Sequence, residues 1–523
     1  MRSTKMVMRL TLTVLLLSGI PRLAGQTKPA ASKTASPGEE ARIHRIETGV
    51  VEIPTGKDEP PLRLNLQQLM ELYKIPGLSI AVIDNFQIAW AKGYGVVEMG
   101  SNKTVTTKTL FQAGSISKPV AATGALFLVQ NGKLSLDENV NDNLKSWKVP
   151  DNEFTKTEKV TLRRILSHAA GLTVHGFPGY DVDASLPTTV QVLNGEKPAN
   201  TPPVRVDMVP GTKEMYSGGG VTIEQLLMTD KTGKAFPELM YEIVLEKIGM
   251  TDSSYEQPQP PARAALTAAG TYMDGKTVHG RWHIYPEMAA AGLWTTPTDL
   301  SRFAIEIALS KNGKSNRVLS QQTTREMLTP VMEEAGLGFF LDKDNPGQFG
   351  HKGADEGFQA FLTMNGESGK GVAIMGNSDN FLNMADYLVQ SIAKEYGWNY
   401  KAQHQDATPT LVLIAKLKGT PVALQRYAQI KKSAEGDKQI SEGTLNNVGY
   451  MLLSSGQTKD AIAIFQWNVQ EYPASGNVYD SLGEAYMKDG QKELAIQNYE
   501  KSLQLDPKNQ NAVEMLKKLK EMK

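Results

Sequence analysis

The C-terminal part of the chain repeats itself every 34 residues. Gly449 and Gly483, Gly456 and Gly490, Ala461 and Ala495, Phe465 and Tyr499, and Pro473 and Pro507 each stand 34 positions apart. A period of this length holds one pair of antiparallel helices, and such a pair buries its apolar face only by stacking on a neighbour. Residues 441–523 are thereby restricted to a small all-α domain, with 510–522 as a polar capping helix. Ala423 and Tyr427 echo Ala461 and Phe465 at a spacing of 38 instead of 34. They mark a degenerate helical unit inside a linker over 401–440.

The rest of the 523-residue chain has a different texture. Leu62, Leu66, Leu69 and Tyr73 fall at helical spacing, and Ile75-Pro76-Gly77 then breaks the run. The stretch Leu78–Trp90 reads as two strands joined by a turn at Asp84-Asn85. Residues 115–131 read as a helix ended by Gly132, with Pro119 tolerable in its first turn. Strands are expected again within 348–380, and a helix over 383–396. Helix, hairpin and long helical stretches in this order predict an α+β domain, an antiparallel sheet flanked by helices, over 48–400.

Before it, Arg2, Lys5 and Arg9 precede the short apolar run Leu10–Ile20 and the small residues Ala24 and Gly25. That pattern is a signal peptide over 1–25, too short to span a bilayer comfortably. A periplasmic or secreted protein without a stable membrane span is expected. Residues 26–47, rich in Lys, Ala, Ser and Thr, read as a flexible leader.

Lys plus Arg and Asp plus Glu both number 56, so no excess of basic residues supports nucleic-acid binding. Cysteine is absent, which removes a thiol nucleophile, a disulfide framework and a Cys zinc site. The seven histidines form no helical two-His motif, so no metal and no cofactor is expected.

The chemistry centres on Ser115-Ile116-Ser117-Lys118. A serine needs a neighbouring base to become a nucleophile. Positions i and i+3 share a helix face, so the Lys118 amine reaches the Ser115 hydroxyl. Burial disfavours the charged form of an amine and so makes it a better base. Ser391-Ile392-Ala393-Lys394 has the same spacing but lies inside a continuous helical pattern, whereas Phe111-Gln-Ala-Gly breaks the chain ahead of Ser115.

Phe111-Gln-Ala-Gly-Ser-Ile-Ser-Lys-Pro resembles the active-site segment of the class C β-lactamase and penicillin-binding-protein family, which includes esterases and D-amino-acid peptidases. Ile75-Pro-Gly-Leu-Ser-Ile-Ala-Val, Gly132-Lys-Leu-Ser-Leu-Asp, Ile165-Leu-Ser-His-Ala-Ala-Gly-Leu and Ala291-Gly-Leu-Trp-Thr-Thr-Pro resemble further family segments, in order. The 34-residue units resemble tetratricopeptide repeats. The resemblance implies a β-lactamase/DD-peptidase-like fold and Tyr216 as the acid/base that works with Ser115 and Lys118. It also implies an oxyanion hole from the amides of Ser115 and Ala354. Ser217, Gly218, His351, Lys352 and Gly353 are implied as substrate-binding. The motif Tyr216-Ser217-Gly218 carries glycine where the family has an asparagine that would bond a substrate amide, and His351 stands where true β-lactamases have lysine. The glycine counts against recognition of a β-lactam or an amide, and the histidine is more typical of the family's esterases and peptidases.

Other motifs carry less. Gly270 to Thr277 fits a phosphate-loop pattern but lacks the strand and helix such a loop needs, and reads as a hairpin turn at Asp274-Gly275. His168 reads as structural, and His175 and His283 as candidates for the cleft wall. The expected function is an exported acyl-serine hydrolase of esterase or D-amino-acid peptidase type, acting on a small molecule or peptide, with a weak β-lactamase activity left open. The alternative is a catalytically weak module that holds a ligand and recruits a protein partner through residues 441–523.

Overall fold

The computed structural model describes residues 37–53, 60–400, 407–433 and 436–521; the expected signal peptide lies outside them. A correction comes at the start. Residues 37–47, expected within a flexible leader, belong to helix α1 (Pro37–Thr48), with Ile43 and Ile46 buried. Their spacing of three places both on one face, and Arg45 ties the helix to Glu395 at 2.8 Å. The predicted helix from Leu62 starts later. Leu62–Leu64 pairs as a strand with Val51–Ile53, and Asn65 then caps the helix Leu66–Leu72.

The main sheet contains β1 (Gly77–Asp84), β2 (Gln87–Gly95), β3 (Phe340–Leu341), β4 (Gln348–Asp355), β5 (Phe358–Asn365) and β6 (Lys370–Gly376), in spatial order β2-β1-β6-β5-β4-β3. Every pairing is antiparallel. The β1–β2 turn is Asn85-Phe86, one residue later than expected, and both residues have positive φ. That is the geometry of a two-residue hairpin turn that follows the strand twist. The Phe86 amide donates to Gly369 O at 2.9 Å and holds the turn there.

Side chains alternate across the sheet, and both faces are covered. Ile83, Leu362, Ala373 and Met375 join the core beneath the helical half, which includes α2 (Ser117–Gln130), α3 (Gly218–Thr232), α4 (Met288–Ala291) and α5 (Pro297–Lys311). Leu78, Ile80, Val82, Phe361, Val372 and Ile374 face the other way, towards α1 and α6 (Leu382–Tyr396).

The second core does not stop at α6. It continues through α7 (Thr408–Lys418), α8 (Thr420–Lys431), α9 (Glu442–Ser454), α10 (Thr458–Glu471), α11 (Gly476–Lys488), α12 (Lys492–Leu505) and α13 (Gln510–Glu521). Much of the segment expected as a linker over 401–440 is thus structural, because α7 and α8 form a packed hairpin. Leu411, Val412, Leu413, Ile414 and Ala415 are all buried, and a helix apolar on every side is one packed on every side. Ala423 and Tyr427 are 1% exposed, matching the buried Ala461 and Phe465 of the first full repeat. A Cβ on Gly449 would lie 2.4 Å from the Phe465 ring, and one on Gly483 would lie 3.2 Å from Tyr499. The repeating glycines are therefore the points where paired helices touch.

Candidate active site

The chain enters the site through Phe111–Gln112, which pairs with Trp294–Thr295. Gly114 follows with φ of 50°, and a 3-10 turn over Gly114–Ile116 leads into α2. Ser115 sits on that turn. The hydroxyl of Ser117 accepts from the Leu293 amide at 3.0 Å, and the Tyr255 hydroxyl donates to Ser117 O at 2.7 Å. These bonds hold the start of α2 on its neighbours. Pro119 falls within the first turn of α2, where no helical donor is lost.

Lys118 is buried beneath the serine. Its Nζ donates to Ser115 Oγ at 2.9 Å and to Ala290 O at 2.8 Å. Ala290 is fixed in turn. Gln225 on α3 accepts from the Ala289 amide at 2.9 Å and donates to Pro286 O at 3.1 Å. Two fully buried carboxyls feel the lysine charge. Burial pushes Glu224 and Asp355 well above the usual carboxylate range, and Lys118 pulls each back. Neither oxygen of Glu224 finds a hydrogen-bond donor. Sequence reasoning missed both, since a lone acid in an apolar helix or after a strand motif carries no distinguishing spacing.

Tyr216 lies across from the lysine, with its ring centroid 5.0 Å from Lys118 Nζ. The ring packs at 4.3 Å from His168 and at 6.3 Å from both Phe340 and His351. His168 is structural, as read from the sequence. Its Nδ1 accepts from the Ser217 amide at 3.3 Å, and burial drives its pKa well down, so the ring is neutral. His175 Nδ1 bonds Tyr216 O at 2.5 Å and steadies the tyrosine backbone. His283 instead bonds Pro178 O and Asp181.

Two expected substrate contacts fall outside the cleft wall. Ser217 is 3% exposed, and its hydroxyl caps α3 by accepting from Gly220 N at 2.9 Å and donates to Thr173 O at 2.8 Å. Gly218 opens α3 under Phe177, whose ring would be 3.0 Å from an added Cβ. Its amide is taken by His175 O at 3.2 Å. Local packing around the helix start occupies both residues.

The opposite wall is β4. A Cβ on Gly353 would stand 1.9 Å from Ala113 O and 3.1 Å from Ser115 N, and one on Gly114 would stand 2.4 Å from Ala354 N. The serine turn and the strand are in direct backbone apposition, and the amides of Ser115 and Ala354 lie on the facing edges. His351 Nδ1 lies 2.5 Å from Lys352 O, an acceptor, so that nitrogen carries the proton. Its Nε2 is buried without a partner, and burial plus the Lys118 charge push the imidazole down to about 3. His351 is therefore a neutral ring whose buried Nε2 is an acceptor without a partner among the described residues.

The cleft is a cavity of about 760 Å³. Ser115, Tyr216, His351, Lys352, Gly353 and Ala354 line it together with Phe340, Glu334 and Asp342, which sequence reasoning did not single out. Elsewhere, Asp274-Gly275 forms the expected turn, with Thr271 bridged to Thr277. Ser391 is buried in α6, where its hydroxyl lies 3.5 Å from Gly49 O.

A serine turn and a buried lysine facing a sheet edge, between a helical half and an antiparallel sheet, define the β-lactamase-like class of serine hydrolase fold. The family model described as beta-lactamase matches residues 62–395, and the chain belongs to that family. A tetratricopeptide-repeat model matches residues 476–509. Relatives include a beta-lactamase of Pseudomonas fluorescens, 28% identical over 46% of this chain and 61% of its own length. An unguisins hydrolase of Aspergillus violaceofuscus is 27% identical over 43% of this chain and 40% of its own. Penicillin-binding protein 4 of Amycolatopsis lactamdurans is 26% identical over 58% and 81% respectively. The chain spans about 40 to 61% of the length of the first two. The octameric penicillin-binding protein homologue of Pyrococcus abyssi superposes with a TM-score of 0.54 at 22% identity, over 66% of this chain and 79% of that one. A beta-lactamase/D-alanine carboxypeptidase of Yersinia pestis gives 0.51 at 19% identity, over 63% and 95%. These likenesses show the fold.

Proposed function

We propose that this protein is an acyl-serine hydrolase acting on an ester or amide. The observation that carries the proposal is the buried Lys118 amine, held between Ser115 Oγ at 2.9 Å and Ala290 O at 2.8 Å, where its neutral form can take the serine proton. Ser115 Oγ attacks the carbonyl carbon and its proton passes to Lys118, with Tyr216 as partner. The tetrahedral oxyanion sits between the amides of Ser115 and Ala354. Tyr216 returns the proton to the leaving group, and the acyl-serine is then opened by water. A glycine at 218, sealed under Phe177, provides no side-chain amide to a substrate amide. This counts against a substrate recognised through that amide, as in a β-lactam, while His351 in place of lysine supports the esterase or D-amino-acid peptidase type. The N-terminal Arg/Lys and apolar pattern supports export to the periplasm or beyond the cell.

Intact mass after incubation with a fluorophosphonate, and separately with a penicillin, tests the proposal. A Ser115 adduct that is lost in Ser115→Ala is the expected result with the first reagent. No adduct with either would sink the reading and favour a ligand-holding module. The tetratricopeptide repeat supports a protein partner for residues 441–523, which a pull-down with and without that region checks.

A further inference from the structure

We propose that the catalytic cleft continues around the edge of β4 into a second groove, where it holds the distal part of an extended, acidic peptide substrate. This rests on the hydrolase reading above. The second groove has a volume of about 970 Å³ and lies between α6 and the helical array. Lys352 and Leu382 line both cavities, so the two adjoin at these side chains. The alternation along β4 explains the link. His351 and Gly353 are buried on the serine side, and Lys352 turns to the other face, with Nζ 5.5 Å from the centroid of the Phe361 ring. A chain leaving Ser115 along the strand edge thus passes Lys352 within two residues, roughly 7 Å at the strand rise.

The groove is built for a peptide. The side-chain amides of Asn383 and Gln390 on α6 and of Asn447 on α9 line it, and among the described residues they bond no protein group. Each offers both a donor and an acceptor, the complement of a peptide backbone. Its charge selects an acid. Lys352 has no carboxylate within ion-pair distance among the described residues. Among the described residues Arg426 on α8 bonds only the Gln429 side chain, at 3.2 Å, and its Nε is buried without a partner there. Of the groove's own acids Glu52 is paired with Arg63 at 2.8 Å, and Asp386 accepts only the Tyr400 hydroxyl at 2.7 Å, which leaves Lys352 and Arg426 against one carboxylate without a cation among the described residues. The helical array therefore supplies the far wall of the substrate site, a role that the hydrolase domain alone cannot fill.

Binding to the Ser115→Ala protein separates this inference from catalysis. Fluorescence anisotropy is read with a labelled octapeptide bearing glutamates at both ends, and with its lysine counterpart. The acidic peptide is expected to bind at least about tenfold more tightly than the basic one. Arg426→Glu should abolish that preference, and Asn447→Trp, which fills the groove, should weaken binding of the acidic peptide by a similar factor. Circular dichroism identifies any variant that has lost its fold. Equal affinity for both peptides, or wild-type binding by both variants, overturns the proposal. A protein partner displacing nothing from the groove leaves it standing; a partner that competes with the acidic peptide for Arg426 reassigns the groove and overturns it. Fluorophosphonate labelling of the wild type reports separately on the hydrolase reading.

Discussion

Replacing Gly353 by alanine tests the apposition on which the whole site depends. The added Cβ would stand 1.9 Å from Ala113 O, whereas contacts under 3.0 Å are essentially never seen for a Cβ. The strand edge and the serine turn have to separate by about 1.1 Å. Ala113 cannot yield easily, because its amide donates to Leu293 O at 2.9 Å. A misplacement of about 1 Å in a catalytic constellation costs on the order of 100-fold in rate, or about 2.7 kcal/mol of transition-state stabilisation. The overpacking itself should cost about 1–3 kcal/mol of stability. Gly93→Ala is the matched control. Its Cβ would meet Val105 O at 2.4 Å, on β2 at the far edge of the sheet from the cleft wall. It should lose stability without losing the second-order rate of fluorophosphonate labelling. The assay pairs that rate with urea unfolding of each protein, under conditions where all are folded. A folded Gly353→Ala protein that labels at the wild-type rate would refute the apposition argument.

Further outcomes follow from individual contacts. Lys118→Met fills the same space without an amine and should lower ester turnover by about 10²–10⁴-fold; a loss under tenfold in steady-state kinetics would remove Lys118 from proton transfer. Burial lifts the Glu287 carboxyl to about 7. The native state then binds more protons than the unfolded chain between the ordinary carboxylate pKa and 7, so stability falls as pH rises through that window, by roughly 3 kcal/mol. Glu287→Gln should flatten that slope when urea midpoints are compared at pH 5 and pH 8, and an unchanged slope counts against it. In the array, Gly449→Ala drives a Cβ to 2.4 Å from the Phe465 ring and should destabilise by about 1–3 kcal/mol. Gly483→Ala, at 3.2 Å from Tyr499, should be close to neutral because the gain in helix propensity offsets the contact. Thermal unfolding of the two variants distinguishes them.

Local chemistry was legible in the amino-acid order wherever a few adjacent residues carry it. The i and i+3 spacing of Ser115 and Lys118 dictates a shared helix face, and the structure brings the two atoms to 2.9 Å. The 34-residue period dictates stacked helix pairs, since glycine has to recur wherever an aromatic ring of the paired helix presses on the backbone. Alternation and turn chemistry likewise marked the strands, to within one residue at Asn85-Phe86. What depends on residues far apart was not legible. Glu224 and Asp355 face Lys118 only because α3 and β4 converge on α2. Ser217 and Gly218 leave the cleft wall because α3 begins at Gly218, so that the Ser217 hydroxyl serves as its cap and Phe177 closes over the glycine. Leu411–Ala415 looked like linker because a helix buried all round shows no amphipathic period. Only the docking of that helix decided that one face of the sheet and the repeats share one continuous core, and that the groove between them adjoins the cleft.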